Sequence, residues 1–208
     1  MTETIYTWAR PEHVDGLVAC SPEYFEPPTR SAVRLWGEHL LQLWCERAGC
    51  DADPPLSLRA RSGFAWISPE PPVEVAASMA GRIRCRVRVD PDRCAVGRID
   101  LINPVFVESG WRNCVIDLIE RGLDERLVRE ELAFLEMASA PMRSAAAGDA
   151  VRSTGAAVLD PVIEHFAPIF ADYVRSWRPM AQRPPQADKL EEVAFPLEAV
   201  EAVEITPP

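Results

Sequence analysis

The sharpest pattern in the chain is the alternation of residues 82–89, R-I-R-C-R-V-R-V. Side chains of an extended strand alternate between its two faces. Ile83, Cys85, Val87 and Val89 therefore fall on one face, and Arg82, Arg84, Arg86 and Arg88 on the other. Asp90-Pro91-Asp92 supplies turn chemistry behind this strand. The pattern then predicts a second strand over 94–102 that returns antiparallel, with Asp100 facing the arginines, before Asn103-Pro104 ends it. Shorter period-two stretches predict strands around 56–67, interrupted at Gly63, and over 73–79 after the turn at 69–72.

Helical spacing flanks this region on both sides. Val33, Trp36, Leu40, Leu41, Leu43 and Trp44 recur on one helical face, with Thr29 or Ser31 as N-cap and Gly49 closing the helix. Cys114, Val115, Leu118 and Ile119 predict a helix over 111–121 that stops at Gly122. Asp124 caps the next helix, to about residue 140, with Leu123 and Val128 placed as a hydrophobic staple. Glu125 with Arg129, and Arg126 with Glu130, are i,i+4 pairs on its polar face. Residues 141–156 are small and polar, and read as part helix, part connection. Asp160-Pro161 signals the start of a helix running to Trp177 through Val162, Phe166, Ile169, Phe170 and Tyr173, kinked at Pro168.

Together these elements predict an α+β fold: an antiparallel sheet of three to five strands from the middle third, packed by helices from the N-terminal and C-terminal thirds. The expected organisation is a single globular domain over 1–178 followed by a Pro-rich acidic tail over 179–208. Residues 1–28 form an irregular N-terminal arm punctuated by Pro11, Pro22, Pro27 and Pro28. The tail contains a three-residue echo, L-E-A, V-E-A, V-E-I, and reads as an acidic amphipathic extension that docks on some surface.

Composition changes the picture in three ways. With 208 residues, 48% hydrophobic and 26% charged, the chain has ample material for a core and is not disordered. No apolar run approaches the roughly 20 residues of a membrane span, and no basic-then-apolar leader opens the chain. A soluble, cytoplasmic protein is the expectation. The net charge of −10 argues against a general nucleic-acid binder. That charge is uneven, however. Residues 81–112 hold seven Arg against four acids (7 − 4 = +3), whereas 179–208 hold six acids against Arg183 and Lys189 (2 − 6 = −4). Lys189 is the single lysine among 22 basic residues, a bias that a GC-rich genome explains without any recognition role. The six cysteines lie inside apolar patterns and read as reduced core thiols.

Candidate chemistry is sparse. Four guanidinium groups about 6.8 Å apart along one strand face suit an acidic protein segment, the chain's own tail included, or phosphates. A solvated face paired with neighbouring acids is the simpler reading. The alternate positions are aliphatic or Cys, which weakens nucleic-acid recognition, since base stacking needs ring faces. Trp8, in the arm, is the aromatic residue expected at an interface. Cys114 near a helix start, with Arg112 close by, is a weak nucleophile candidate with His165 as base, although it lies squarely on an apolar stripe. His13, His39 and His165 stand in no metal-ligand spacing, and Cys45-x4-Cys50 lacks a second pair. No phosphate-cradling glycine loop or nucleophile elbow is present, so neither a metal nor a cofactor is expected.

The resulting functional expectation is a non-catalytic cytoplasmic accessory or assembly protein. It acts through contacts of the arm, tail and arginine row with another protein or a second copy of itself. The alternative is a small enzyme or ligand-binding protein with a pocket near Cys114 and His165. Nucleic-acid or phosphate-ligand binding by the arginine row ranks third.

Overall fold

The computed structural model describes residues 2–25, 29–50, 62–70, 73–76, 79–184 and 191–206. The fold mixes helix with a large antiparallel sheet. The chain forms two compact units: Met1–Pro27, Asp53–Ile99 and Ser176–Pro208 make the first, and Pro28–Ala52 with Asp100–Arg175 the second.

Among the described residues, the first unit is built on a sheet of seven strands, more than the three to five expected, because both ends of the chain contribute strands. In chain order these are β1 (Glu3–Ala9), β3 (Ser62–Trp66), β4 (Ile83–Val89), β5 (Ala95–Arg98), β7 (Arg178–Pro179), β8 (Glu191–Pro196) and β9 (Val200–Ile205); β2 (Arg30–Ser31) and β6 (Pro141–Met142) pair with each other in the second unit. The spatial order is β7-β5-β8-β3-β1-β4-β9, antiparallel at every junction. One face carries the core of this unit. Ile5, Cys85, Val87, Val89, Val96, Val193 and Phe195 are buried there with Val14 and Leu17 of helix α1 (Val14–Val18) and Phe25 of α2 (Pro22–Phe25). Phe25 meets Phe195 edge-to-face at 5.8 Å.

This sheet departs from the sequence expectation in several places. The arm is not irregular: residues 3–9 form an interior strand between β3 and β4. The tail supplies two strands, and β8 within it is buried along its whole length. No hairpin joins β4 to β5. The 3-10 turn Pro91–Arg93 redirects the chain, β5 pairs with β7 and β8, and β9 takes the place beside β4. The strand ends at Arg98, and Ile99–Phe106 is helical, so Asp100 is not a cross-strand partner of the arginines. The strand predicted over 56–67 is present at Ser62–Trp66, its beginning lying outside the described residues. Val73–Ala76 is a helical turn, α4, instead of a strand.

The second unit is helical. Helix α3 (Ala32–Ala48) buries Val33, Trp36, Leu40 and Leu41 and ends at Gly49, whose φ of 63° is the left-handed conformation glycine adopts without strain. It is followed in sequence by α5 (Ile99–Phe106), α6 (Glu108–Glu120), α7 (Glu125–Glu131), α8 (Ser144–Ser153) and α9 (Ala156–Ser176). Asp124 caps α7 as expected, accepting from the Leu127 N–H at 2.8 Å. Asp160 does not cap α9. The helix starts a turn earlier, at Ala156, and the carbonyl of the preceding Gly155 accepts from the Val158 and Leu159 amides at 2.9 Å. Asp160 instead accepts from Arg47 of α3 at 2.6 Å.

An aromatic cluster fills this unit. Trp36 stacks on Phe134 at 4.0 Å, and Trp111 meets Trp36, Phe134 and Phe166 edge-on. Trp111 is fully buried, and its indole N–H donates to the Val105 carbonyl at 2.8 Å. Buried indole N–H groups usually find such a partner; that of Trp36 in the same cluster finds none among the described residues. Among the described residues no helix is long and apolar enough to cross a membrane.

Candidate interaction face

Register places the arginine row between the two chain ends. Across from β4, Thr4, Tyr6 and Trp8 of β1 oppose Arg88, Arg86 and Arg84, while Ala202 and Glu204 of β9 oppose Arg88 and Arg86. Directly opposed residues share a sheet face. The row Tyr6–Arg86–Glu204 therefore lies on the face opposite the core row Ile5–Val87–Val203. Arm, arginine row and tail, remote in sequence, are three adjacent strands.

Each arginine has a distinct environment. Arg82 donates to the Trp8 carbonyl at 3.4 Å. Arg84 donates from Nε to the Thr206 hydroxyl at 2.9 Å and from Nη1 to the Pro69 carbonyl at 3.4 Å. Arg86 is ion-paired with Glu204, and this carboxylate holds the guanidinium still more firmly protonated. Arg88 is exposed and has neither an ion-pair nor a hydrogen-bond partner among the described residues. The chain's own C-terminal strand thus covers part of the row and leaves Arg88 uncommitted.

Aromatic residues interleave with the arginines across strands instead of along one. Trp8 is half-buried and meets Trp66 edge-to-face at 5.6 Å, and Tyr6 lies beside Arg86. Reading β4 alone misses these rings. The alternation T-I-Y-T-W over residues 4–8 marks a strand with Tyr6 and Trp8 on one side, but which strand it joins is a tertiary matter.

The bulge between Arg88 and Val89 explains how β9 fits. Arg88 opposes Ala202 while Val89 opposes Val200, so Glu201 is the extra residue. An inserted residue lets side chains three apart turn to the same side. Glu201 accepts from the Thr2 hydroxyl at 2.9 and 3.0 Å, and Glu204 meets Arg86.

A second charged group is not legible in the sequence. Glu191, at the start of β8, is 6% exposed, is ion-paired with Arg178 and lies opposite Arg98 in register. Its Oε2 and the Arg178 Nε make no hydrogen bond among the described residues. The acidic run of the tail hides this residue, because nothing in its local pattern distinguishes a buried carboxylate from a solvated one.

The thiol candidate has the wrong chemistry for a nucleophile. Cys114 lies on α6 with no exposed surface, and its thiol is pushed up to about 12, chiefly by burial and then by the Asp117 charge, against a smaller opposing effect of Arg121. It stays protonated at neutral pH. His165 of α9 has its Nδ1 2.8 Å from Asp117, whose carboxyl it holds below the usual carboxylate range. Arg121 bridges the same Asp117 at 3.6 Å and Glu164 at 2.9 Å. All six cysteines are free thiols, four of them buried.

A depression of about 100 Å³ in the second unit is lined by His39, Gln42, Glu46 and Arg152, among others. His39 Nε2 lies 2.9 Å from the Ser144 carbonyl oxygen and 3.3 Å from the Ser144 hydroxyl. The shorter contact requires Nε2 to carry the proton, so the same atom cannot accept from the hydroxyl. The pair ties the start of α8 to α3 and is not a Ser–His catalytic dyad. Among the described residues no cluster of His, Cys, Asp and Glu is arranged to hold a metal ion. Comparisons with family models, with curated proteins and with solved structures find no match for this chain.

Proposed function

We propose that this chain is a non-catalytic cytoplasmic accessory or assembly protein that works by protein–protein contact, through the face made by β1, β4 and β9. One observation carries the reading: Tyr6, Trp8, Arg84, Arg86, Arg88 and Glu204 converge on three adjacent strands at one end of the sheet. Interfaces draw on aromatic and arginine anchors of this kind. A partner segment with acidic side chains would answer Arg88, as Glu204 answers Arg86. The burial of Cys114 and the engagement of His165 by Asp117 count against a thiol enzyme.

Deleting the tail is no test, since β8 within it is an interior strand. The informative variant is full-length Arg86→Glu/Arg88→Glu, compared with the native chain by crosslinking in its host and mass spectrometry. The reading expects crosslinks from residues 2–9, 82–89 or 200–206 to a protein, lost in the variant while circular dichroism stays unchanged. Crosslinks confined to other surfaces, or unchanged by the charge reversal, would overturn it.

The rings beside the arginines favour one second reading, single-stranded nucleic acid held by stacking and charge. Anisotropy of labelled oligonucleotides decides it. Affinity must fall steeply with salt and with Trp8→Ala. The net charge of −10 weighs against it.

A further inference from the structure

We infer that a second copy of this chain pairs with the open edge of β9, joining two sheets antiparallel about a twofold axis at Val203. The inference rests on the protein-contact reading of the same face and names its partner. Among the described residues no strand lies beyond β9 in the sheet order. The Thr206 amide donates inward to the Arg84 carbonyl at 3.0 Å. Ladder groups alternate along an antiparallel strand, so the amides and carbonyls of Ala202 and Glu204 also point to β4, and those of Val203 and Ile205 point outward. Such an edge templates another strand unless charges or bulges forbid it, and the bulge of β9 lies at Glu201, just before the stretch 202–204 that pairs about Val203.

Charge selects the register. Outward-pointing residues must oppose one another, which leaves a few symmetric pairings. The pairing that opposes Val203 to Ile205 brings Glu204 against its own copy, and the pairing centred on residue 201 does the same for Glu201; like charges directly opposed are unfavourable. A twofold axis through Ala202 lines up the two uncommitted Arg88 groups across the joint. An axis through Val203 opposes Ala202 to the second copy's Glu204. On the arginine face the order across the joint is then Arg88, Ala202, Glu204 and Arg86, the last two from the second copy.

Arg88 and that Glu204 sit two strand spacings apart, about 10 Å between Cα atoms, and only the Ala202 methyl lies between them. Within its own chain Glu204 engages Arg86 through Oε2 alone, leaving Oε1 to receive Arg88. The arginine of β4 that has no partner among the described residues and the small residue of β9 on that face thus become complementary in this register. On the opposite face Val203 meets Val203, with Ile205, 55% exposed in the single chain, as diagonal neighbour. The contact is isologous, which lets it close as a dimer and not run on as a fibre.

The test is sedimentation equilibrium of the full-length protein up to about 100 µM, with two variants. Val203→Pro removes an outward N–H, which edge strands tolerate, and trims a side chain packed at the margin of the core; it is expected to be monomeric with an unchanged circular dichroism spectrum. Arg88→Glu is expected to raise the dimer dissociation constant about tenfold or more, since the contact occurs twice. Arg88 has no partner among the described residues of its own chain, so this variant reports on the joint even if the proline variant loses structure. A native chain that stays monomeric overturns the pairing, as does a folded Val203→Pro variant that dimerises like the native chain. In either case, crosslinks from this face to a different protein would leave the broader protein-contact reading standing, and their absence would remove that too.

Discussion

Arg86 of β4 and Glu204 of β9 are ion-paired across adjacent strands, joining the arginine row to a segment 118 residues further along the chain. Both side chains are about half exposed, at 46% and 52%. Solvent and salt screen such a pair, so it sets charge pattern and register more than stability. Glu204→Gln is expected to leave the urea midpoint nearly unchanged at about 0.15 M salt. A large drop in the midpoint would show that the pair holds β9 in place.

Gly110 admits no side chain. A Cβ there would lie 1.8 Å from the Pro104 carbonyl oxygen, where α5 turns into α6. That neighbour is backbone and cannot swing aside, so Gly110→Ala must shift the corner. Overpacking of this kind costs about 1–3 kcal/mol or more, readable by urea unfolding. A neutral substitution would refute the close approach of the two helices.

Trp111 contributes both a ring and a hydrogen-bond donor. Trp111→Phe keeps most of the packing and strands the Val105 carbonyl, for an expected loss of about 1–3 kcal/mol. Trp111→Ala also opens a cavity among Trp36, Phe134 and Phe166, for about 3–5 kcal/mol. A Trp111→Phe variant as stable as the native protein would deny the indole N–H its role.

Burial raises the thiols of Cys94 and Cys114 to about 12, from a usual 9.0. A proton held more tightly in the folded state stabilises it fully below about pH 9, and that contribution is lost as pH rises from about 9 towards 12. Stability is therefore expected to fall in this alkaline range, and less steeply in Cys114→Ala when each protein is compared with itself at neutral pH. Near neutral pH a maleimide should label Cys20 and Cys50, the partly exposed pair, well before Cys114. Rapid labelling of Cys114 in the folded protein would restore it as a nucleophile candidate.

Asp117 is held below the ordinary carboxylate range, first by its hydrogen bond with His165 and further by Arg121. A lowered acid pKa gives stability that is present above the unfolded value, 3.8, and lost as pH falls through the folded one. Asp117→Asn should therefore be less stable than the native protein at about pH 6, with the difference fading towards about pH 2. A difference that does not change with pH would assign the loss to packing.

Local pattern was enough to sort which residues face which way within a segment. Alternation over 82–89 separated arginines from core side chains, because a strand's period of two is local geometry. The 3.6-residue period likewise found most of α3, and a capping aspartate marked the start of α7. Which segments sit side by side was settled only by the folded chain. Residues 3–9 read as an arm because a seven-residue strand shows little without its neighbours. Residues 191–205 read as part of a tail because the six prolines of 179–208 and an acidic run look solvated, and the three-residue spacing of Glu201 and Glu204 suits a strand only once a bulge absorbs the extra residue. Strand pairing between chain ends is chosen by the burial of Ile5, Val87, Val193 and Phe195 together, a cooperative choice that no single segment encodes. That choice places Tyr6, Trp8, Arg88 and Glu204 on one face, where local alternation shows only four arginines in a row.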